Sequence, residues 1–369
     1  MGVSETNRVE GGVGFHAPWT IMYRINLHSR LASRILWKVG YASYRTEHDI
    51  YRAAYGLSWP DWFTPAQTIK VKVSAHRCPL SSLDFVTLRI KDAVCDKFVA
   101  VRGRRPTVNT HMPDIRLDAF LDEESITLYL DTSGEGLFKR GHRAMSVDAP
   151  IRENLAAGLL QLAGWTPQDT LLDPMCGSGT IPLEAALFAR HIAPGLSRRF
   201  AFERLIVHDH AQWNQVRYAA RAAQHSRIPS VVYASDHDGA AISVAQRTFR
   251  NAGVETDIRL RQSELLDLDA PDKQGILVIN PPYGVRLRSR DQLEDFYPKM
   301  GDWLKQRFMG WRAYILTADL RLPKLIGLAP SKRTPLFNGS LECRFYEFKI
   351  VEGPMRKQAR LARATAKTM

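Results

Sequence analysis

The chain has 369 residues, 45% hydrophobic and 24% charged, with a formal net charge of +13. That length supports two or three domains with cores of their own, and the positive surplus favours polyanionic partners held in a salt-dependent way, without separating RNA from DNA. Four widely spaced cysteines with no Cys-x-x-Cys pair argue against a disulfide framework or a zinc site. The lack of any apolar run near ~18 residues or of a signal-peptide core predicts a soluble, cytoplasmic protein.

In chain order, Arg30 to Trp37 and Ile50 to Trp59 read as helices, and Thr68 to Ser74 alternates as a strand. Ser82 to Phe98 reads as a longer helix with Phe85, Leu88, Ala93 and Val94 on its apolar side, and Ser125 to Leu130 alternates again as a strand. Helices and strands mixed in this way predict a small α+β layer. Its most basic stretch is Arg102-Gly103-Arg104-Arg105-Pro106, a candidate phosphate contact or an ordinary solvated loop. A connector from about Arg140 to Pro150 leads into the second half.

There, Thr170 to Thr180 reads as strand, glycine loop and helix start, and Ile181 to Ala189 as the helix, with Pro182 tolerated in its first turn. Gly177 and Gly179 let the main chain approach a ligand closely, and the helix N-terminus offers N–H groups. The third glycine of a dinucleotide fingerprint is replaced by Pro182, and no Gly-Lys-Ser/Thr occurs. Asp173 would repel a pyrophosphate but suits the amino group of a cationic ligand, and S-adenosylmethionine, with its ammonium and sulfonium, is such a ligand. Cys176 in this loop reads as a small packing residue.

The segment after the first helix holds Arg198-Arg199 and a predicted helix from Gln212 to His225, with Arg217 and Arg221 on one face. Val231 to Asp236 reads as the second strand, and the following helix has Ile242, Ala245 and Phe249 on one face. Asp236, an acid ending a second strand, is the usual partner for ribose hydroxyls. A third strand, Thr256 to Gln262, leads to Glu264, placed to accept from an adenine amine.

The apolar run Ile276 to Ile279 delivers Asn280-Pro281-Pro282-Tyr283 to its rim. The prolines fix φ and remove two N–H donors, so the segment presents acceptors. Asn280 and a carbonyl near Pro281 could bind the hydrogens of a base's exocyclic amine and free its lone pair toward an electrophile, while Tyr283 stacks on the base. Asn-Pro is also an ordinary turn initiator. Arg286, Arg288 and Arg290 follow, placed to hold phosphates flanking a target base. Asp291 to Phe308 reads as a helix, with Ala313 to Thr317 and Arg344 to Val351 as the last strands, which gives the alternation of a doubly wound α/β sheet. From Gly353 the tail is basic with no acid.

With these residues in this order, the chain resembles the class I, Rossmann-like S-adenosylmethionine-dependent methyltransferases. More narrowly, it resembles the THUMP-domain RNA guanine-N2 methyltransferases of the bacterial RlmL type. The resemblance covers nearly the whole length. In the second half it rests on Arg152 to Ala157, Asp173 to Thr180, Ile192 to Leu196, Trp213, Asp236 and Asn280 to Gly284. In the first half it rests on Ser33-Arg34-Ile35-Leu36, Lys91 to Asp96, Asp131-Thr132-Ser133-Gly134 and Arg140 to Arg143.

The resemblance implies four segments: a partial ferredoxin-like segment over 1–45, a THUMP-like RNA-binding domain over 46–145, a methyltransferase domain over 146–352 and a basic tail over 353–369. It implies S-adenosylmethionine as cofactor, held by Asp173, Pro174, Cys176, Gly177, Gly179, Thr180, Asp236 and Glu264, and no metal. Catalysis falls to Asn280, Pro281, Pro282 and Tyr283. RNA, ribosomal in preference to transfer RNA, would meet Arg102, Arg104, Arg105, Arg286, Arg288 and Arg290. Two departures stand out: relatives carry another half-unit before Gly11-Gly12-Val13, so the start reads as short, and Glu264 stands where Asp is common. Three alternatives stay open: a tRNA guanine methyltransferase, an adenine-N6 DNA methyltransferase, and a noncatalytic RNA-binding assembly factor.

Overall fold

The computed structural model describes residues 3–9, 11–142, 151–229, 231–281 and 290–351. Its residues cluster into two compact units, Met1–Gly141 with Ala193–Ala222, and His142–Ile192 with Ala223–Met369. Residues 193–222, inside the segment assigned above to the methyltransferase domain, thus pack with the N-terminal unit.

The first unit opens with an exposed hairpin, β1 (Ser4–Val9) and β2 (Gly12–His16), followed by helix α1 (Trp19–His28). Next come β3 (Leu36–Ser43), α2 (Glu47–Tyr55), the single turn α3 (Trp59–Trp62), β4 (Ile69–Ala75), α4 (Leu83–Arg102), β5 (Ile115–Leu121) and β6 (Ser125–Asp131). The four longer strands form one sheet in the order β3-β6-β5-β4, with only β4 and β5 parallel. Along β5, Ile115, Leu117, Ala119 and Leu121 alternate inward with period two.

Helix starts and stops follow local chemistry. Thr46 and Asp49 cap α2 reciprocally, the Ser82 hydroxyl accepts from Phe85 N–H at the start of α4, and Gly103 ends α4 in the left-handed conformation. The buried stripe of α4 is Val86, Ile90, Ala93, Val94 and Phe98. Phe85 and Leu88, expected on that side, are exposed. The helix expected over Arg30 to Trp37 is absent: Ser33 O accepts from Leu137 N–H, Ile35 N–H donates to Ser133 Oγ, and Ile35 O accepts from Thr132 N–H. These long-range bonds claim the backbone groups that a helix would need.

In the second unit, α5 (Glu153–Leu162) precedes β7 (Leu171–Asp173) and α6 (Thr180–Ala189). After α6 the chain contributes 193–222 to the first unit, including α7 (His210–Ala222). It continues with β8 (Val232–Asp236), α8 (Gly239–Asn251), β9 (Ile258–Gln262), β10 (Ile276–Ile279) and α9 (Arg290–Arg307), then β11 (Arg312–Thr317), the short α10 (Leu322–Leu325), β12 (Lys332–Asn338) and β13 (Leu341–Lys349). The seven-stranded sheet runs β12-β13-β11-β10-β7-β8-β9, parallel from β9 through β11 and antiparallel at β13. This is the doubly wound α/β sheet expected, with an antiparallel edge formed by β13 and β12.

Every residue of β10 is buried, and its side chains divide by parity. Ile276 and Val278 join a core cluster with α5, α6 and α8, while Leu277 and Ile279 join one with α9. Strand order reverses between β7 and β10, and a sheet wound both ways from such a point opens a crevice at the carboxyl ends of those strands. Among the described residues no helix is long and apolar enough to cross a membrane.

Candidate active site

The parallel strands β7, β8, β9 and β10 end on the same edge, so Asp173, Asp236, Glu264 and Asn280 all lie at or just past carboxyl ends. Sheet topology, rather than any local interaction, brings these residues together from across more than a hundred positions of sequence.

Between β7 and α6 the chain turns through two glycines at positive φ, Gly177 at 53° and Gly179 at 79°. Cys176 N–H donates to Ser235 O at 2.9 Å, and Gly179 N–H donates to Cys176 O at 2.8 Å. Gly177 N–H donates to Asp236 Oδ2 at 2.8 Å. A Cβ on Gly179 would press on the Phe249 ring, whereas one on Gly177 would point into open space. Gly179 is therefore needed for packing against α8, and Gly177 leaves the loop face clear for something outside the chain. Thr180, at the start of α6, is buried, as are Pro174 and Cys176.

Asp173 is almost wholly buried, and among the described residues its carboxylate accepts only from Met175 N–H, to Oδ1 at 3.3 Å. Burial, and then the nearby Asp236 charge, push its carboxyl well above the usual range. A cation beside it would reverse that shift, which makes this position fit an ammonium group. Burial likewise raises the Cys176 thiol, reinforced by Asp173, so this sulfur is no activated nucleophile.

Asp236 uses both oxygens: Oδ2 on the glycine loop, and Oδ1 on Asp238 N–H at 3.1 Å and beside His237 Nδ1 at 3.2 Å. Its carboxylate thus braces the first loop against the second. Asp238 caps α8 through Ala240 N–H. Glu264 is exposed just past β9, its carbonyl starting a turn through Asp267 N–H. Gln262 was not anticipated from sequence: its Nε2 donates to His237 O at 2.9 Å and its side chain lies over Gly239, fixing the rim beside Asp236. A polar residue ending an exposed strand gives no sequence signal for such a role.

At the tip of β10, Asn280 Oδ1 is buried with no hydrogen-bond partner among the described residues. An unsatisfied buried acceptor costs about 1–3 kcal/mol, so such an atom marks a place where an outside donor is expected. Pro281 beside it is buried. Pro282, Tyr283, Arg286 and Arg288 lie outside the described residues, and Arg290 begins α9.

Arg102, Arg104 and Arg105 are all exposed at and after the end of α4, with Arg102 reaching Pro60 O at 3.5 Å. Arg198, by contrast, is spent inside its own unit. Its guanidinium donates to the carbonyls of Ser133, Glu135, Gly136 and Lys139. No group of three or more metal-ligating side chains occurs among the described residues.

Residues 140–347 match the model of the RMKL-like methyltransferase domain, 44–131 the THUMP domain and 1–36 the RlmL ferredoxin-like domain. A ribosomal RNA large subunit methyltransferase K/L from Syntrophotalea carbinolica is 38% identical over 95% of this chain and 51% of its own length. The chain spans about half the length of that relative and of its Shewanella counterparts. A Synechocystis protein provisionally named an RNA methyltransferase, slr0064, is 34% identical over 95% of this chain and 91% of its own. Among solved structures, SMU.472 complexed with SAH is similar at a TM-score of 0.86 and 30% identity, covering 96% of this chain and 93% of that one. A Listeria monocytogenes protein named as a predicted N6-adenine-specific DNA methylase is similar at 0.84 and 29%, covering 95% and 90%.

Proposed function

Because this chain belongs to the RMKL-like methyltransferase family and carries a THUMP domain ahead of its catalytic fold, we propose that it methylates the exocyclic N2 amine of a guanine in RNA, using S-adenosylmethionine. Large-subunit ribosomal RNA is the substrate that the names of its relatives support, and such a substrate would place the reaction in the cytoplasm. The observation that carries the reading is the buried oxygen of Asn280 at the tip of β10, without a partner among the described residues and one strand from the acidic glycine loop.

Bound at that loop, S-adenosylmethionine supplies a methyl group on a positively charged sulfur. Asp173 would hold its ammonium, the Asp236 edge its ribose and Glu264 its adenine amine, with Pro174, Cys176 and Thr180 packing the loop beneath. Gly177 keeps the approach open. Asn280 Oδ1 and the carbonyl beside Pro281 accept the two hydrogens of the target amine. That pairing draws the nitrogen toward a pyramidal shape and turns its lone pair outward, where charge develops as the new bond forms. Fixing the amine in this way converts a diffusional encounter into a positioned one. The nitrogen becomes acidic once alkylated, so no dedicated base is required. Reaching the pocket requires the guanine to leave its stack, at a cost of a few kcal/mol. Tyr283 would hold the flipped base by stacking, and Arg286, Arg288 and Arg290 its flanking phosphates. In this reading, 1–45 and 46–145 serve RNA engagement, 146–352 holds the chemistry and 353–369 adds nonspecific affinity.

The likeness to a protein named for adenine-N6 methylation of DNA supplies the second reading. The test incubates purified protein with labelled donor and separate ribosomal RNA, transfer RNA and DNA pools, then identifies the modified nucleoside after digestion. N2-methylguanosine in large-subunit RNA is expected. N6-methyladenosine as the sole product would end the guanine reading, and label confined to transfer RNA would move the substrate.

A further inference from the structure

We propose that the outer face of α7 is an RNA-docking surface on which one unpaired base of the substrate stacks against Tyr218. The inference rests on the RNA reading above and adds where and how the first unit grips its polymer.

The thirteen residues of α7 contain no acid. Its inner side is fixed: Trp213 lies edge-on to Phe202 at 5.0 Å and to Phe200 at 5.6 Å, with Ala220 buried on the same side. Outward, His210, Asn214, Arg217, Tyr218 and Arg221 fall at spacings of four, three, one and three, which places them on one continuous stripe. Tyr218 is 76% exposed. Arg217, half-buried, sits over the Trp213 ring at 5.8 Å, a contact that fixes its guanidinium along the edge of the stripe.

Among the described residues, Arg199, Arg217 and Arg221 form no ion pair. A groove beside the helix is lined by Leu196, Ser197, Arg198, Arg199, Glu203 and Arg217. Its one carboxylate, Glu203, is engaged with Phe200 N–H, and Asp209 caps the start of α7 through Ala211 and Gln212 N–H. An exposed aromatic ring on a stripe with guanidiniums that form no ion pair among the described residues is the arrangement that binds single-stranded nucleic acid. The ring takes a base and the cations take the phosphates on either side. A protein partner would more often meet a dry apolar centre with charge at its rim.

The test measures fluorescence anisotropy of a labelled RNA hairpin with an unpaired loop, and of the same RNA annealed into full duplex, against the whole chain without donor. Tyr218→Ala should weaken hairpin binding by roughly ten- to a hundredfold, Tyr218→Phe should restore it, and duplex binding should change little. Arg217→Gln and Arg221→Gln should each lower the salt slope of log affinity by about 0.7. Donor affinity, read by calorimetry, should stay at the wild-type value in all four. Equal hairpin affinity for Tyr218→Ala and wild type overturns the proposal, as does hairpin binding lost equally in Tyr218→Phe. Since this readout needs no turnover, it is separable from the product analysis, whose failure would strike the methylation reading alone.

Discussion

Two alanine substitutions two residues apart in the glycine loop should fail in opposite ways. At Gly179 a new Cβ would stand 2.5 and 2.6 Å from two carbons of the Phe249 ring and 3.1 Å from Ala245 Cβ. Phe249 is 1% exposed and has no room to swing aside. The φ of 79° adds about 1–2 kcal/mol for an L side chain, and overpacking adds about 1–3 kcal/mol, so Gly179→Ala should cost about 2–5 kcal/mol. At Gly177 the φ of 53° carries the same conformational cost, yet nothing lies within 4 Å of the added carbon. Gly177→Ala should therefore lose only about 1–2 kcal/mol. Its methyl would fill the space from which the donor approaches, and donor affinity should fall at least about tenfold, equivalent to ~1.4 kcal/mol. Urea denaturation reports the first quantity and calorimetry with S-adenosylmethionine the second. Wild-type donor affinity in Gly177→Ala would refute the loop as a cradle, and wild-type stability in Gly179→Ala would refute the packing argument.

Three further outcomes follow from the same geometry. Asn280→Ala should bind donor normally and lose about 10²–10³ in turnover, the range for removing one group that stabilises developing charge; undiminished turnover would remove Asn280 from the chemistry. Asp173, raised by burial, keeps a proton in the folded chain that the unfolded chain has already released, so its contribution to stability falls as pH rises from the ordinary carboxylate range to its elevated folded value. Asp173→Asn should then be more stable than wild type without donor at neutral pH, with the gap closing in acid, while binding donor more weakly; a pH-independent gap would exclude this titration. Arg198→Ala removes its hydrogen bonds to four carbonyls, of which Gly136 O keeps Lys139 N–H, and should cost about 2–4 kcal/mol in urea denaturation, whereas an unchanged midpoint would show that those bonds contribute nothing.

The catalytic half was the more legible part of the sequence, because its signals are local. β7, the glycine loop and β10 each announce themselves through an apolar run ended by a polar residue. The topology that gathers them follows from strand–helix alternation. The N-terminal unit was less legible. Arg30 to Trp37 has fair helical propensity, but bonds to residues 132–137 take its backbone groups, and no local pattern reports a partner a hundred positions away. The apolar side of α4 was read correctly at Ala93 and Val94, which are buried, but not at its start, where Phe85 and Leu88 are large yet exposed and the smaller Val86 points inward. β12 escaped notice because it lies at the sheet edge with alternate positions exposed, so its polar residues read as loop. The role of Arg198 was also hidden: adjacent to Arg199 in sequence and alike in charge, it differs only in what lies across the turn.

The excursion of 193–222 bears on how such a protein can be cut and recombined. Because the N-terminal unit draws part of its core, including Phe200, Phe202 and Trp213, from the middle of the neighbouring coding region, no single splice point separates the two. Deleting 1–141 would strand those aromatic rings in water and favour clumping of the fragment. Anyone wishing to transplant the catalytic sheet must also replace the excursion with a short bridge. By the same reasoning, lineages that shuffle these modules are expected to move them as a linked pair.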